Sequence, residues 1–273
     1  MIRSAAKNVG WVTVIIDPSD YERVLENINE ENEINFETRS SLSSKAFGHT
    51  AQYDTIIHNY LKESTLSNDF TLTYKKHSDM RYGENPHQAA SAFQIPGDKS
   101  NGILNAKIHQ GKKLSYNNIM DADAALSCLK EFKSTACVIV KHANPCGVAL
   151  GANMLDVYKR AFAADSISAF GGVIAINQPC DDLLAKEISK VFVEIILAPA
   201  FTKKSLDILS KKKNLRVIEV GNIEPRDQLL EVRNIVGGLI VQETDTSTLS
   251  RNKLEIVTEL EPSEEEINTM LFG

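Results

Sequence analysis

The stretch from 171 to 199, GGVIAINQPCDDLLAKEISKVFVEIILAP, carries the reading of the fold. Its first part is a short apolar run, GGVIAIN, and its last, EIILAP, is another. Between them DDLLAKEISKVF reads as a helix, opened by an aspartate suited to accept the free amides of its first turn. The same alternation extends both ways. MDADAALSCLKEF (120–132) is helical, ACVIV (136–140) a strand and MLDVYKRAFAAD (154–165) helical. KKSLDILSKKK, LRVIEV and GGLIVQE follow the quoted stretch. Continuous apolar strands separated by amphipathic helices indicate an α/β fold with a buried, mainly parallel sheet.

Before residue 71 the pattern differs. WVTVIID (11–17) reads as a strand entered directly from MIRSAAKN. Asp17-Pro18-Ser19-Asp20 then supplies turn and capping residues for a helix with Tyr21, Val24, Leu25 and Ile28 on one face. After an acidic stretch, a long helix runs to about Lys62, with Tyr53, Ile56, Ile57 and Tyr60 at helical spacing. TLTYKKH and SAFQIP read as strands flanking SDMRYGENPHQAA. Near the end, Ser263 and Glu266 form a capping box for a helix carrying Ile267, Met270 and Leu271. So short a helix is marginal without further turns or a partner, so the chain is expected to be a piece of a longer protein.

The 273 residues are 42 % hydrophobic and 24 % charged, an ordinary globular composition. A net charge of −6 argues against a general nucleic-acid or anionic-membrane binder. No apolar run approaches the roughly 18–20 residues of a membrane span. Arg3 and Lys7 before VGWVTVII mimic a signal peptide, but the run stops at Asp17-Pro18 and has no small-residue cleavage site. Cys128, Cys137, Cys146 and Cys180 lack C-x-x-C spacing and read as reduced thiols of a cytoplasmic protein.

Chemistry is concentrated in a few places. Lys141 and His142 follow the strand 136–140 and precede Asn144-Pro145, where the chain is expected to break. Ligands of open α/β sheets sit outside the carboxyl ends of strands, and this pair lies at such an end. Histidine can serve as a general base, with the neighbouring lysine stabilising negative charge; the plainer alternative is a solvated lysine beside a loop histidine. Arg81 and Tyr82 sit on a loop shaped by Gly83 and Asn85-Pro86, and offer a guanidinium fork and an aromatic face for a phosphate or carboxylate, or simply decorate a surface loop. Gly171 and Gly172 permit close approach of a ligand or a bulge. Glu194 enters an apolar strand either as a buried ligand-binding carboxylate or at a sheet edge. His142, Cys146, His87 and Cys180 invite a zinc reading, but NPCG lacks the second cysteine of a P-C-x-x-C site, and no metal is expected. Lys7 stands among small residues that permit approach of a ligand or a helix, and the plainer reading is a solvated helix lysine.

Taken in order, IRSAAKN, KAFGHTAQYD, RYGENPHQ, LSYNNIMDADAA, VIVKHANPCGVA, SAFGGVIAIN and VEIILAP resemble the bifunctional purine-biosynthesis family that combines AICAR formyltransferase and IMP cyclohydrolase. The likeness covers essentially the whole chain. It implies that residues 1–73 are the end of a cyclohydrolase domain similar to methylglyoxal synthase. Residues 74–273 would be the first part of a formyltransferase domain similar to cytidine deaminase but without its zinc. By the resemblance, His142 is the base of formyl transfer, Lys141 stabilises the transition state, and Arg81, Tyr82, Gly171 and Glu194 contact the AICAR nucleotide. Lys7 matches the catalytic lysine of the cyclohydrolase.

The resemblance further implies 10-formyltetrahydrofolate as co-substrate, FAICAR and IMP as later nucleotides, and a homodimer. The family's earlier cyclohydrolase loops and its later K-S-N-A asparagine do not occur in this sequence. The expectation is therefore an incomplete copy of the bifunctional enzyme with little transfer activity of its own. The alternative is a non-catalytic binding or assembly partner.

Overall fold

The structure, a computed structural model, describes residues 1–224 and 230–272. The backbone divides into two compact units, one of residues 1–107 with 111–120, the other of residues 108–110 with 121 onward. The division of function expected near residue 73 falls inside the first unit.

In the first unit, α1 (Ile2–Lys7), α2 (Tyr21–Glu31) and α3 (Phe36–Leu61) precede a hairpin of β1 (Lys75–Asp79) and β2 (Ser91–Gln94). Two expectations are corrected here. IRSAAK is a helix and not the lead-in to a strand, and residues 12–17 form no strand and have no ladder partner among the described residues. The reason lies in what period-two apolarity reports. It says that one face is buried, not what covers it, and here Val14 packs with Ala6 of α1 and Ala46 of α3, joined by Ile16 and Phe47. Ser43 donates to the Ala6 carbonyl at 2.7 Å, so the small residues around Lys7 receive a helix. Asn35 caps α3 by accepting the Thr38 amide at 2.9 Å. The helix buries Leu42, Ser43 and Ala46, whereas Tyr53, Ile56, Ile57 and Tyr60 stay exposed. On α2 only Val24 of the four expected face residues is buried.

The second unit is built on a six-stranded sheet ordered β3-β8-β7-β6-β4-β5. These strands are β3 (Lys107–Gln110), β4 (Thr135–Lys141), β5 (Asn144–Gly151), β6 (Val173–Ile176), β7 (Ile195–Ala198) and β8 (Arg216–Glu219). β6, β7 and β8 are parallel, as their apolar runs and intervening helices imply. β4, however, is antiparallel to both β6 and β5, so the sheet is mixed and not mainly parallel. β4 reads like a parallel strand because its central position buries both faces, and burial, not direction, sets composition.

Helices α5 (Met154–Ala164), α6 (Asp182–Ile188) and α7 (Lys203–Leu209) cover one face. Val157, Tyr158, Leu184, Ile188 and Leu209 pack there against Cys137, Ile139, Ile174, Ile176 and Ile196. Asp181 caps α6, accepting the Leu184 amide at 2.8 Å. α4 (Tyr116–Leu129) runs through the division between the units. Beyond the sheet lie a hairpin, β9 (Leu230–Ile235) with β10 (Gly238–Glu243), and α8 (Glu264–Phe272). The capping box of α8 forms as read: Ser263 donates its amide to Glu266 at 2.8 Å, and the Glu266 amide donates to Ser263 Oγ at 3.3 Å.

Candidate active site

The β4–β5 connection differs from expectation in a way that matters for chemistry. The break is not at Asn144-Pro145, which begins β5. The turn is His142-Ala143, closed by the Lys141–Asn144 pair. Both turn residues are left-handed, with φ of 52° and 58°. Two-residue turns with two positive φ values match the twist of a hairpin but normally use Asn-Gly. A side-chain-bearing residue there costs about 1–2 kcal/mol, so the local sequence alone does not favour this shape. It is held by polar partners. Asp121 Oδ1 accepts the Ala143 amide at 2.7 Å, and Asn144 Nδ2 donates to the His142 carbonyl at 2.8 Å.

Lys141 is half-buried at the end of β4, and its Nζ donates to the Gly171 carbonyl at 2.8 Å. Gly171 has φ of 67°, and its amide donates to the Phe192 carbonyl at 2.8 Å. A Cβ on Gly171 would stand 3.0 Å from the Phe192 ring and 3.2 Å from Lys141 Nζ. Glu194 directly precedes β7. Its amide donates to the Gly172 carbonyl at 3.0 Å, and its carbonyl accepts the Arg216 amide at 3.0 Å. β7 lies between β6 and β8, so the sheet-edge explanation of Glu194 does not hold. Arg216 Nη1 donates to Glu194 Oε2 at 2.7 Å, with the arginine side chain 10 % exposed and the glutamate 38 %.

Lys141, His142, Gly171 and Glu194 thus gather at one end of the strands, here termed the edge. It is not the edge that strand-end reasoning suggested. Because β4 is antiparallel to β6, its carboxyl end coincides with the amino ends of β6, β7 and β8. Arg216 joins them and was missed from sequence. Its signal was a charge at the second position of the apolar run LRVIEV, the same pattern as Glu194 in VEIILAP.

Cys146 lies near this edge. Its Sγ is 3.5 Å from the Ile139 carbonyl, and burial together with the Asp165 carboxylate raises its pKa, so it stays a thiol at neutral pH. Among the described residues no group of three or more His, Cys, Asp or Glu side chains is placed to hold a metal ion. No described helix is long and apolar enough to cross a membrane.

The remaining candidates lie in the first unit. Arg81 and Tyr82 follow β1 on the loop to β2, the guanidinium 5.4 Å from the Tyr82 ring centre. The Gly83 amide donates to the Gln88 carbonyl at 2.7 Å and the Asn85 amide to Gln88 Oε1 at 2.8 Å, which folds the loop on itself and leaves Arg81 exposed. Lys7 is exposed in the last turn of α1. Lys7 and the Arg81–Tyr82 pair thus stand on different elements.

The family model for the AICARFT/IMPCHase bienzyme matches residues 5–273. The bifunctional purine biosynthesis protein PurH of Leuconostoc citreum is 45 % identical over 273 residues, covering 100 % of this chain and 54 % of that protein. The PurH of Bacillus cytotoxicus is 45 % identical over 273 residues, covering 99 % of this chain and 53 % of that one. That of Bacillus thuringiensis strain Al Hakam is 46 % identical over 269 residues, with shares of 97 % and 53 %. The chain spans about half the length of the curated relatives it matches. By the extent of these matches, the chain belongs to the AICARFT/IMPCHase bienzyme family.

Proposed function

We propose that this chain is part of a bifunctional enzyme that formylates AICAR from 10-formyltetrahydrofolate and closes the product, FAICAR, to IMP. The observation that carries the reading is the edge where Lys141 Nζ meets the Gly171 carbonyl beside the strained His142 turn. The 5-amino group of AICAR is a weak nucleophile because its lone pair is delocalised into the imidazole ring. As that nitrogen attacks the formyl carbon, His142 takes its proton and Lys141 stabilises the charge growing on the formyl oxygen. Tetrahydrofolate then leaves. Gly171 and Glu194 contact the nucleotide, and the family resemblance gives Arg81 and Tyr82 nucleotide contacts too. Lys7 assists proton transfer when FAICAR loses water on ring closure.

In this reading residues 1–73 close a methylglyoxal-synthase-like cyclohydrolase domain and residues 74–273 open a deaminase-like transferase domain. The parent enzyme is a cytoplasmic homodimer. Replacing His142 by alanine is expected to lower formyl transfer by at least about a hundredfold while sparing cyclisation of supplied FAICAR. Unchanged transfer would sink the role of His142. A second reading is a non-catalytic assembly partner. A wild-type chain that binds AICAR and pairs with a full-length relative, yet forms no FAICAR, would establish that reading.

A further inference from the structure

We infer that Asp121 is a positioning residue of the transfer site, its carboxylate holding the left-handed turn that presents His142 beside Lys141. The inference rests on the proposed role of His142 as the base. Two consecutive residues with a Cβ adopt positive φ here, at 52° and 58°, and such backbone persists only where the surroundings over-determine it. Two side chains do so. Asn144, which clamps the His142 carbonyl, belongs to the hairpin and moves with it. Asp121 comes from α4 and ties the Ala143 amide to a different element.

That element is well anchored. Ala122, Ala125, Leu126 and Leu129 of α4 are all buried, so the carboxylate projects from a fixed backbone. At 2.7 Å the contact has the length of a charge-assisted bond. Asp121 therefore acts through the main chain. It selects the turn, and the turn sets where the imidazole stands.

The test uses isotope-labelled chain and three variants. Asp121→Ala removes the acceptor, and the Ala143 amide is expected to exchange with solvent about tenfold faster. The carbon shifts of His142 and Ala143 lose their left-handed signature in the same variant. Asp121→Asn keeps an acceptor oxygen and is expected to stay close to wild type. Asp121→Ala with Ala143→Gly recovers the left-handed turn, because glycine adopts it without cost. In the full-length parent enzyme carrying the same substitutions, the kcat for formyl transfer falls with Asp121→Ala and recovers in the double variant, at unchanged KM for AICAR.

If the alanine variant does not fold, Asp121→Ser, too short to reach Ala143, takes its place. Wild-type exchange and shifts in the acceptor-less variant would overturn the inference whatever the activity. An altered turn with unaltered kcat would overturn it too. Failure of the base reading shows differently: His142→Ala would leave transfer intact, and the turn measurements would stand.

Discussion

Replacing Gly171 by alanine isolates what this edge demands of its backbone. Gly237, at φ of 81°, has nothing within 4 Å of an added Cβ and serves as the reference in the same unit. There alanine meets only the left-handed penalty, about 1 kcal/mol after the gain from a less flexible unfolded chain. At Gly171 the same penalty applies, and the new methyl also lies 3.0 Å from the Phe192 ring and 3.2 Å from Lys141 Nζ. Both neighbours are side-chain ends that can shift, so the added cost falls at the low end of overpacking, roughly 1–2 kcal/mol.

Gly171→Ala is therefore expected to lose about 2–3 kcal/mol in urea unfolding against about 1 for Gly237→Ala. The clash also displaces the Lys141 ammonium from the Gly171 carbonyl, so formyl transfer falls more than nucleotide binding does. Gly172→Ala is a contrasting variant. Its Cβ would meet the Val140 and Ala169 carbonyls at 2.9 and 3.1 Å, backbone atoms that cannot swing aside, and its loss is expected to exceed that of Gly171→Ala. Equal losses for Gly171→Ala and Gly237→Ala would refute the reasoning, since the crowding at Gly171 would then have no energetic weight.

Two further outcomes are expected. Burial, reinforced by the Asp181 carboxylate, pushes the Cys180 thiol from its ordinary 9.0 up to about 12, and burial raises Cys137 and Tyr158 as well. The unfolded chain releases these protons near their ordinary values while the folded chain keeps them. Stability is thus complete below about pH 9 and falls as pH rises toward 12. The urea midpoint should drop over that range, and a constant or rising midpoint would contradict the burial of these groups. Asp181→Ala, which frees the Leu184 amide at the start of α6, should cost about 1 kcal/mol, read by the same unfolding experiment.

The elements that were legible in the sequence are those whose signals are local. The caps at Asp181 and Ser263, the helices around them and the parallel β6–β8 all follow from side chains within a few positions of the feature they create. The misreadings share a different cause. WVTVIID has strand periodicity but is covered by helices, a fact fixed by Ala6 and Ala46 and not by its own residues. The turn at His142-Ala143 defies local preference because Asp121, 22 residues upstream, holds it. The Glu194–Arg216 pair joins two strand starts, each of which looked like an isolated charge. Long-range partners decided all three, and a single sequence does not display them.

The location of the site has a physical consequence for its chemistry. In a βαβ unit the helix returns to the amino end of the next strand, so that edge receives helix C-termini, where carbonyls and the negative end of the dipole face outward. α6 ends at Ile188 ahead of β7, and α7 at Leu209 ahead of β8. The opposite edge, fed by helix N-termini, would offer free amides to a growing oxyanion. Here α6 and α7 supply no such amides, so positive charge from side chains has to stand in for them. Lys141 and Arg216 are two cations there, Arg216 held by Glu194 and Lys141 resting on a carbonyl. In the proposed mechanism the ammonium of Lys141 thus replaces a helix N-terminus as the group that meets the formyl oxygen. A neutral substitute such as Lys141→Met, which keeps the length of the side chain, is expected to lower formyl transfer by the parent enzyme more than nucleotide binding, because Arg216 is already held by Glu194.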